Sequence, residues 1–137
     1  MGTNKLRAAL LVSFVFMLPA TRGVAQEQKM AQASIPFEFW IGGSRLPAGT
    51  YRIEQLESTS YFVLRSADGK TVHDVYALPV DDSPATKDDA KLVFRITDGR
   101  HYLYGGWGAF GRRVVTLEST RPVPSGDDRA EVPIIYR

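Results

Sequence analysis

The sequence predicts an all-β domain, a single antiparallel β-sandwich or small barrel of about seven or eight short strands. Three observations predict this fold. Apolar and polar residues alternate over short segments, and turns rich in Gly, Pro and Asp separate these segments. After residue 25, no segment has the apolar period of a helix. Many short strands with dense turn signals are typical of an antiparallel sandwich or barrel.

The first 25 residues have the pattern of a cleaved signal peptide. Lys5 and Arg7 precede the apolar run Ala8–Ala20, and Gly23–Ala25 places small residues before Gln26. The run is shorter than the about 20 apolar residues of a membrane-spanning helix. We therefore expect cleavage after residue 25 and export to the periplasm or the extracellular space.

The remaining chain is expected to be one domain. We expect residues 26–33 to be a flexible leader, residues 34–120 to be the β domain, and residues 121–137 to be a tail with one edge strand over Val132–Tyr136. Pro133 within that last segment favours an edge position.

Charge and composition exclude several classes of function. Cleavage removes three basic residues, which leaves 14 basic against 15 acidic residues and a net charge of −1 rather than +2. Because the basic residues are scattered apart from Arg112-Arg113, we expect no nucleic-acid partner. The chain has no cysteine, which excludes disulfides, thiol catalysis and zinc–thiolate sites. No second long apolar run is present, so the processed chain is not expected to span a membrane.

Residues 34–41 are predicted to form the first strand. Ile35, Phe37, Phe39 and Ile41 share one face, and Pro36 places the start of the strand at a sheet edge. Two structural turns follow, at Gly42-Gly43 and at Leu46–Gly49, in which Pro47 presets the turn and Gly49 permits an unusual backbone conformation. Thr50–Leu56 is then the second strand.

Two hairpins are predicted around Asp-Gly turns. Asp68-Gly69 and Asp98-Gly99 each lie between two apolar segments, and glycine satisfies the positive φ that a tight turn requires. The flanking predicted strands are Tyr61–Ser66, Thr71–Leu78, Lys91–Thr97 and Arg100–Tyr104, with a further strand at Val114–Leu117.

The segment Ile35–Ile53 (IPFEFWIGGSRLPAGTYRI) resembles a family of small exported acidobacterial β proteins with a (V/I)PF(D/E)F…G…LPAG.Y block. Lys91–Phe94 and Tyr102–Trp107 resemble the later block of that family, while the chain after Trp107 does not. The resemblance implies an exported β protein and no catalytic residue, because the family has no characterised activity.

Chemistry-bearing residues do not form a recognisable catalytic or metal motif. His73 and His101 lie in different predicted hairpins, and no G-x-S-x-G segment is present. The acidic loop Asp81–Asp89 lacks the D-x-D-x-D-G calcium pattern and is expected to be a solvated loop. We therefore assign no catalytic, cofactor-binding or metal-binding residue and expect no cofactor.

Aromatic and basic residues near the glycine-rich segment Gly105–Gly111 are the candidates for contact with a partner. That segment lacks the Lys-Ser/Thr of a phosphate loop and is more typical of a bulge or mobile loop. Trp107 and Phe110, with Arg112 and Arg113 beside them, are predicted to contact a protein or a glycan.

The sequence leaves three functions open. The favoured one is an exported, non-catalytic binding or structural module without an enzymatic activity. The alternatives are a small-molecule carrier, or a hydrolase acting on glycans through carboxylates such as Glu38, Glu54, Glu57 and Glu118. A closed apolar cavity favours the carrier, a cleft with convergent carboxylates favours the hydrolase, and exposed Trp107 and Phe110 favour a partner-binding module.

Overall fold

The computed structural model describes residues 30–56, 60–80 and 89–136. The predicted signal peptide, half of the predicted leader (residues 26–29), Glu57 and most of the loop Asp81–Asp89 lie outside the described residues.

The described residues form ten β-strands and two short 3₁₀ turns. The strands are β1 (Ala31–Ile35), β2 (Phe39–Ile41), β3 (Ser44–Leu46), β4 (Gly49–Gln55), β5 (Tyr61–Ser66), β6 (Val72–Pro79), β7 (Lys91–Thr97), β8 (Arg100–Gly108), β9 (Gly111–Val115) and β10 (Arg129–Tyr136). The 3₁₀ turns are Thr116–Glu118 and Gly126–Asp128.

Eight of these strands close into an antiparallel barrel, which confirms the predicted fold class. The order around the barrel is β8-β7-β10-β1-β4-β5-β6-β9, and pairing of β9 with β8 closes it. The short strands β2 and β3 form an extra hairpin, in which β2 runs parallel to the start of β8. Because the barrel is closed, each of its eight strands pairs with a neighbour on both sides over at least part of its length.

The predicted strand over residues 34–41 is wrong in its bounds. The structure has two strands, β1 and β2, separated at residues 36–38. Pro36 cannot donate a hydrogen bond to a neighbouring strand, and the chain changes partners there, from β4 and β10 to β3 and β8. β1 begins at Ala31, where Ala31 and Ala33 are buried, so the expected flexible leader does not extend to residue 33.

The C-terminal segment also differs from the expectation. β10 is an internal barrel strand between β7 and β1, rather than part of a tail with an edge strand. Pro133 is the last residue of β10 that pairs with β7, and Ile134 is the next residue and pairs with β1. Proline is tolerated at this point because β10 passes there from one partner to the other.

Large aromatic side chains fill one end of the barrel. Phe39 packs edge-on against Tyr51 and Phe94, with ring centroids 5.3 and 5.6 Å apart. Phe37 closes this end, because its ring stacks on His101 at a centroid distance of 3.8 Å. Each buried aromatic side chain of this kind contributes about 2–3 kcal/mol through its removal from water.

The predicted turn residues lie at the connections between strands. Asp98 and Gly99 both have positive φ, 53° and 74°, as a two-residue hairpin turn requires. In the other hairpin the Asp68 carboxylate accepts hydrogen bonds from the Ser66 hydroxyl and the Lys70 amide. Gly42 and Gly43 connect β2 to β3, while Pro47, whose carbonyl accepts the Tyr51 hydroxyl at 2.6 Å, precedes Gly49 and β4.

Candidate functional site

The four predicted contact residues lie on opposite sides of the barrel wall. Trp107 and Arg112 line a groove on the outer surface, whereas Phe110 and Arg113 line the interior. Adjacent residues of a strand point to opposite faces, so Arg112 and Arg113 separate. Phe110 lies in the two-residue turn between β8 and β9 and turns into the end of the barrel, where it packs on Phe62 at 5.2 Å.

The outer groove has a volume of about 340 Å³ and is formed by four strands and two loops. We call it the Trp107 groove. Its lining combines aromatic, aliphatic and charged side chains: Val80, Asp89, Lys91, Tyr104, Trp107, Arg112, Val114, Val123 and Arg129.

A glycine allows the indole of Trp107 to lie against the sheet. A Cβ atom on Gly105 would lie 3.3 Å from the indole edge and would collide with the carbonyl oxygen of Arg113. Gly105 therefore provides both the space under the ring and the close approach of β9 to β8. The bulge predicted for this glycine-rich segment is present where it begins, because the β7–β8 register shifts at Tyr104, next to Gly105. The rest of the segment is the paired end of β8 followed by a tight turn.

Cationic side chains flank the Trp107 ring. The guanidinium carbons of Arg129 and Arg112 lie 5.8 and 6.0 Å from its centroid, at the outer limit of a cation–π contact. Arg129 also forms a 2.8 Å ion pair with Glu131, to which Lys91 is bonded at 3.3 Å. Desolvation raises the pKa of the Glu131 carboxyl, but hydrogen bonds from Arg129 and Lys91 outweigh it and leave this pKa below its usual value.

One wall of the groove belongs to residues 116–128, which we call the cover segment. The groove borders a small cluster of buried residues, Val93, Tyr104 and Val114, with Trp107 packed against it. The cover segment contributes Val123 to the Trp107 groove, and the carbonyl of its buried Pro124 accepts a hydrogen bond from Arg129 at 3.1 Å. The groove therefore depends on how the cover segment is held.

A buried ion pair holds the cover segment. The Glu118 side chain is 5% exposed and accepts two hydrogen bonds from the Arg95 guanidinium, at 2.8 and 3.0 Å. Arg95 also lies 4.4 Å above the Tyr102 ring. The hydrogen bonds that Arg95 donates to Glu118 raise the pKa of the Arg95 guanidinium.

A second groove lies on the other side of the cover segment. It has a volume of about 510 Å³, and its lining includes Arg95, Asp98, Pro122, Val123 and Asp128. Val123 lines both grooves, so the two depressions share one wall. Arg95 in this second groove is already bonded to Glu118 and is a weaker candidate for ligand contact than the side chains around Trp107.

The barrel interior is filled by side chains except for a small cavity of about 30 Å³. Its lining is almost entirely apolar and includes Phe62, Leu92, Leu103 and Phe110, with Arg113 as its one charged residue. Pockets for small molecules usually have volumes of about 300–1,000 Å³. In the conformation described, this cavity holds one or two waters at most.

The histidines and carboxylates of the described residues do not converge. His73 lies in β6 and has a buried Nδ1 without a hydrogen-bond partner, whereas His101 stacks on Phe37 in β8. Glu38 and Glu118 are each paired with an arginine. Within residues 30–56, 60–80 and 89–136, no group of three or more acidic or histidine side chains is placed to hold a metal ion.

No family model, no curated protein and no solved structure matches this chain. Across the part of the chain that the structure describes, no helix has the length and apolar character needed to cross a membrane.

Proposed function

We propose that this chain is an exported, non-catalytic binding domain and that its Trp107 groove holds a sugar unit of a glycan. The single observation that supports this function most directly is the indole of Trp107, laid against the sheet over Gly105 within a concave site lined by charged side chains. A site of this kind offers a flat apolar surface and hydrogen-bonding groups side by side.

A sugar ring matches both parts of this lining. Its C–H face is apolar and packs on an aromatic ring, while its hydroxyls need donors and acceptors around the edge. Trp107 provides the flat surface, Arg112 provides donors, and Asp89 provides an acceptor in the same groove. Three cationic side chains lie at the groove, against Asp89 and the Glu131 carboxylate that pairs with two of them. This excess of positive charge favours an acidic sugar over a neutral one.

Export is supported by the N-terminal sequence pattern and by the resemblance to small exported acidobacterial proteins. Mass spectrometry of the protein recovered from an extracytoplasmic fraction tests it. We expect the mass of a chain that begins at Gln26, and recovery of the full-length chain from the cytoplasm alone contradicts export.

Tryptophan fluorescence tests the sugar site, because Trp40 and Trp107 are the two tryptophans of the chain. The Trp40→Phe variant leaves Trp107 as the sole reporter. We expect saturable changes in its emission with oligosaccharides of uronic acids, and weaker binding of neutral oligosaccharides of equal length. Arg112→Gln should reduce affinity for the acidic series about tenfold, which corresponds to the loss of one charge-assisted hydrogen bond.

A matched control distinguishes binding at the groove from binding elsewhere. The Trp107→Ala variant, with Trp40 retained, should lose heat of binding in calorimetry with the same oligosaccharides. Unchanged binding by Trp107→Ala, or the absence of binding by every oligosaccharide class, contradicts the proposed site.

A protein partner is the second candidate, and exposed aliphatic side chains favour it. Val80 and Val123 at the groove are 57% and 60% exposed, and Trp, Tyr and Arg beside such residues are typical of the energetic centre of a protein interface. Val123→Ser separates the two functions. It should weaken a protein complex more strongly than it weakens sugar binding, measured with a partner that binds the wild-type chain and not Trp107→Ala.

A further inference from the structure

Arg113 is a charged residue in an apolar interior. It lines the barrel cavity together with apolar side chains from β4 to β9. Its Nε donates to the carbonyl of Phe110 at 3.1 Å, while its Nη1 is 3.5 Å from both the Ser60 hydroxyl and the Ala77 carbonyl. None of the ion pairs within the described residues involves Arg113.

The half-buried guanidinium of Arg113 therefore makes few contacts with the described residues, although its carbon also lies 5.7 Å from the Phe62 ring centroid. It carries five N–H donors, of which one makes a hydrogen bond of ordinary length and another makes contacts at the limit of hydrogen bonding. A carboxylate is the acceptor that matches the remaining fork of donors, because it accepts two parallel hydrogen bonds and neutralises the charge.

Phe110 is the side chain that fills the space next to Arg113. Its ring packs on Phe62 at 5.2 Å and lies 3.4 Å from the position of a Cβ on Gly106. The residue belongs to a two-residue turn between Gly108 and Gly111, and Gly111 has a φ of +77°. The ring is half-buried, so it leaves the barrel end by side-chain rotation without the separation of paired strands.

We propose that the interior at this end of the barrel binds a single-chain carboxylate, a small anionic amphiphile. The carboxylate bonds to Arg113, and the aliphatic chain enters the cavity and takes the place of the Phe110 ring. The apolar lining and the lone cation are complementary to these two parts of the ligand. The opposite end stays closed by Phe37 on His101, so the ligand enters only past Phe110.

This site is separate from the Trp107 groove and does not rest on the function proposed for that groove. Ligand at Arg113 is inside the barrel wall, whereas sugar at Trp107 is outside it. The two proposals can therefore fail independently.

Titration of the exported chain with octanoate and with 1-octanol, followed by methyl and amide NMR shifts, tests the proposal. The two probes share a chain and differ in the charge of the head group. We expect octanoate to shift resonances of Leu92, Leu103 and Val115 and to bind at least tenfold more tightly than octanol. Phe110→Ala should bind octanoate about tenfold more tightly than the wild type, because the ring no longer has to be displaced.

The role of the charge is tested with Arg113→Met and Arg113→Lys. Arg113→Met should bind octanoate and octanol equally. Arg113→Lys keeps the charge and should retain a preference for octanoate, so it tests the role of the charge even if the methionine variant fails to fold. Arg65→Met, an exposed residue of β5, is the matched control and should bind as the wild type does. Absence of interior shifts in Phe110→Ala, or equal affinities of the wild type for octanoate and octanol, overturns the proposal.

Discussion

Glu118 is a buried carboxylate whose main partner is Arg95, while the more exposed Arg121 lies 3.6 Å away. Glu118→Gln leaves the 12% exposed Arg95 guanidinium without its counter-charge, and removal of one member of a buried pair costs about 3–5 kcal/mol. We expect a loss of this size in the free energy of unfolding, measured by urea denaturation. The matched control is Glu38→Gln, whose pair with Arg45 is exposed and should change stability by less than about 1 kcal/mol. Equal losses in the two variants contradict the role of burial.

Gly105 is a glycine that a methyl group cannot replace without movement of the backbone. Gly105→Ala places its Cβ against the carbonyl oxygen of Arg113 and the Trp107 ring. We expect the free energy of unfolding to fall by about 2–3 kcal/mol and the emission maximum of Trp107 to shift. Gly43→Ala is the control, because nothing lies within 4 Å of its Cβ position. A thermal midpoint of Gly105→Ala equal to that of Gly43→Ala contradicts this packing.

His101 makes stability depend on pH. Burial against Phe37 lowers the pKa of its imidazole below the usual value of about 6.5, so the unfolded state binds the proton more tightly than the folded state does. The free energy of unfolding should therefore fall as the pH drops from about 6.5 toward the lower pKa of the folded state. His101→Gln should lose this part of the dependence when unfolding is followed between pH 8 and pH 5. An unchanged slope in the variant contradicts the assignment.

At the scale of residues, the sequence predicts which side chains are unusual but not where they point. Trp107 and Arg112 are correctly grouped on one surface, because both lie near the paired ends of β8 and β9. Phe110 and Arg113 lie inside the barrel instead. The turn at Ala109-Phe110 reverses the chain, and its geometry determines which face of the sheet each residue of β9 occupies. The ion pair of Arg95 and Glu118 joins residues 23 positions apart, and no local pattern indicates it.

At the scale of elements, β10 is where sequence and structure differ most. Its alternation predicts a strand, but Pro133 favours an edge position, whereas the strand is paired on both sides. Pro133 is tolerated in this strand because β7 pairs with its first five residues and β1 pairs with its last three. Such a division is a property of the closed barrel and not of the local sequence.

Neighbouring residues of β10 provide a test of which face of the strand packs in the barrel interior. Ile134 is buried and Ile135 is 53% exposed, although both are isoleucines of one strand. Ile134→Thr should cost about 2 kcal/mol, from the lost methyl packing and a buried hydroxyl, while Ile135→Thr should change stability by less than about 0.5 kcal/mol. Thermal unfolding of the two variants measures the difference. Similar midpoints would contradict the packing of Ile134 in the barrel interior.

At the scale of the whole molecule, the barrel wall separates two candidate binding regions. The Trp107 groove lies outside β8 and β9, and the Arg113 cavity lies inside the same two strands. The sequence predicts the class of fold, because strand alternation and Asp-Gly turns are local signals. Closure of the barrel, and with it the division into an outside and an inside, follows from long-range pairing that these local signals do not contain.

The double pairing of β10 has a consequence for the order of events during synthesis. Both β1, which starts at Ala31, and β7 lack one neighbour until Arg129–Tyr136 has been made. The barrel therefore cannot close before β10 has been synthesised, and long-range closure of this kind is slow. On the export proposed above, a barrel that cannot close without β10 stays open until that strand has followed the earlier strands across the membrane.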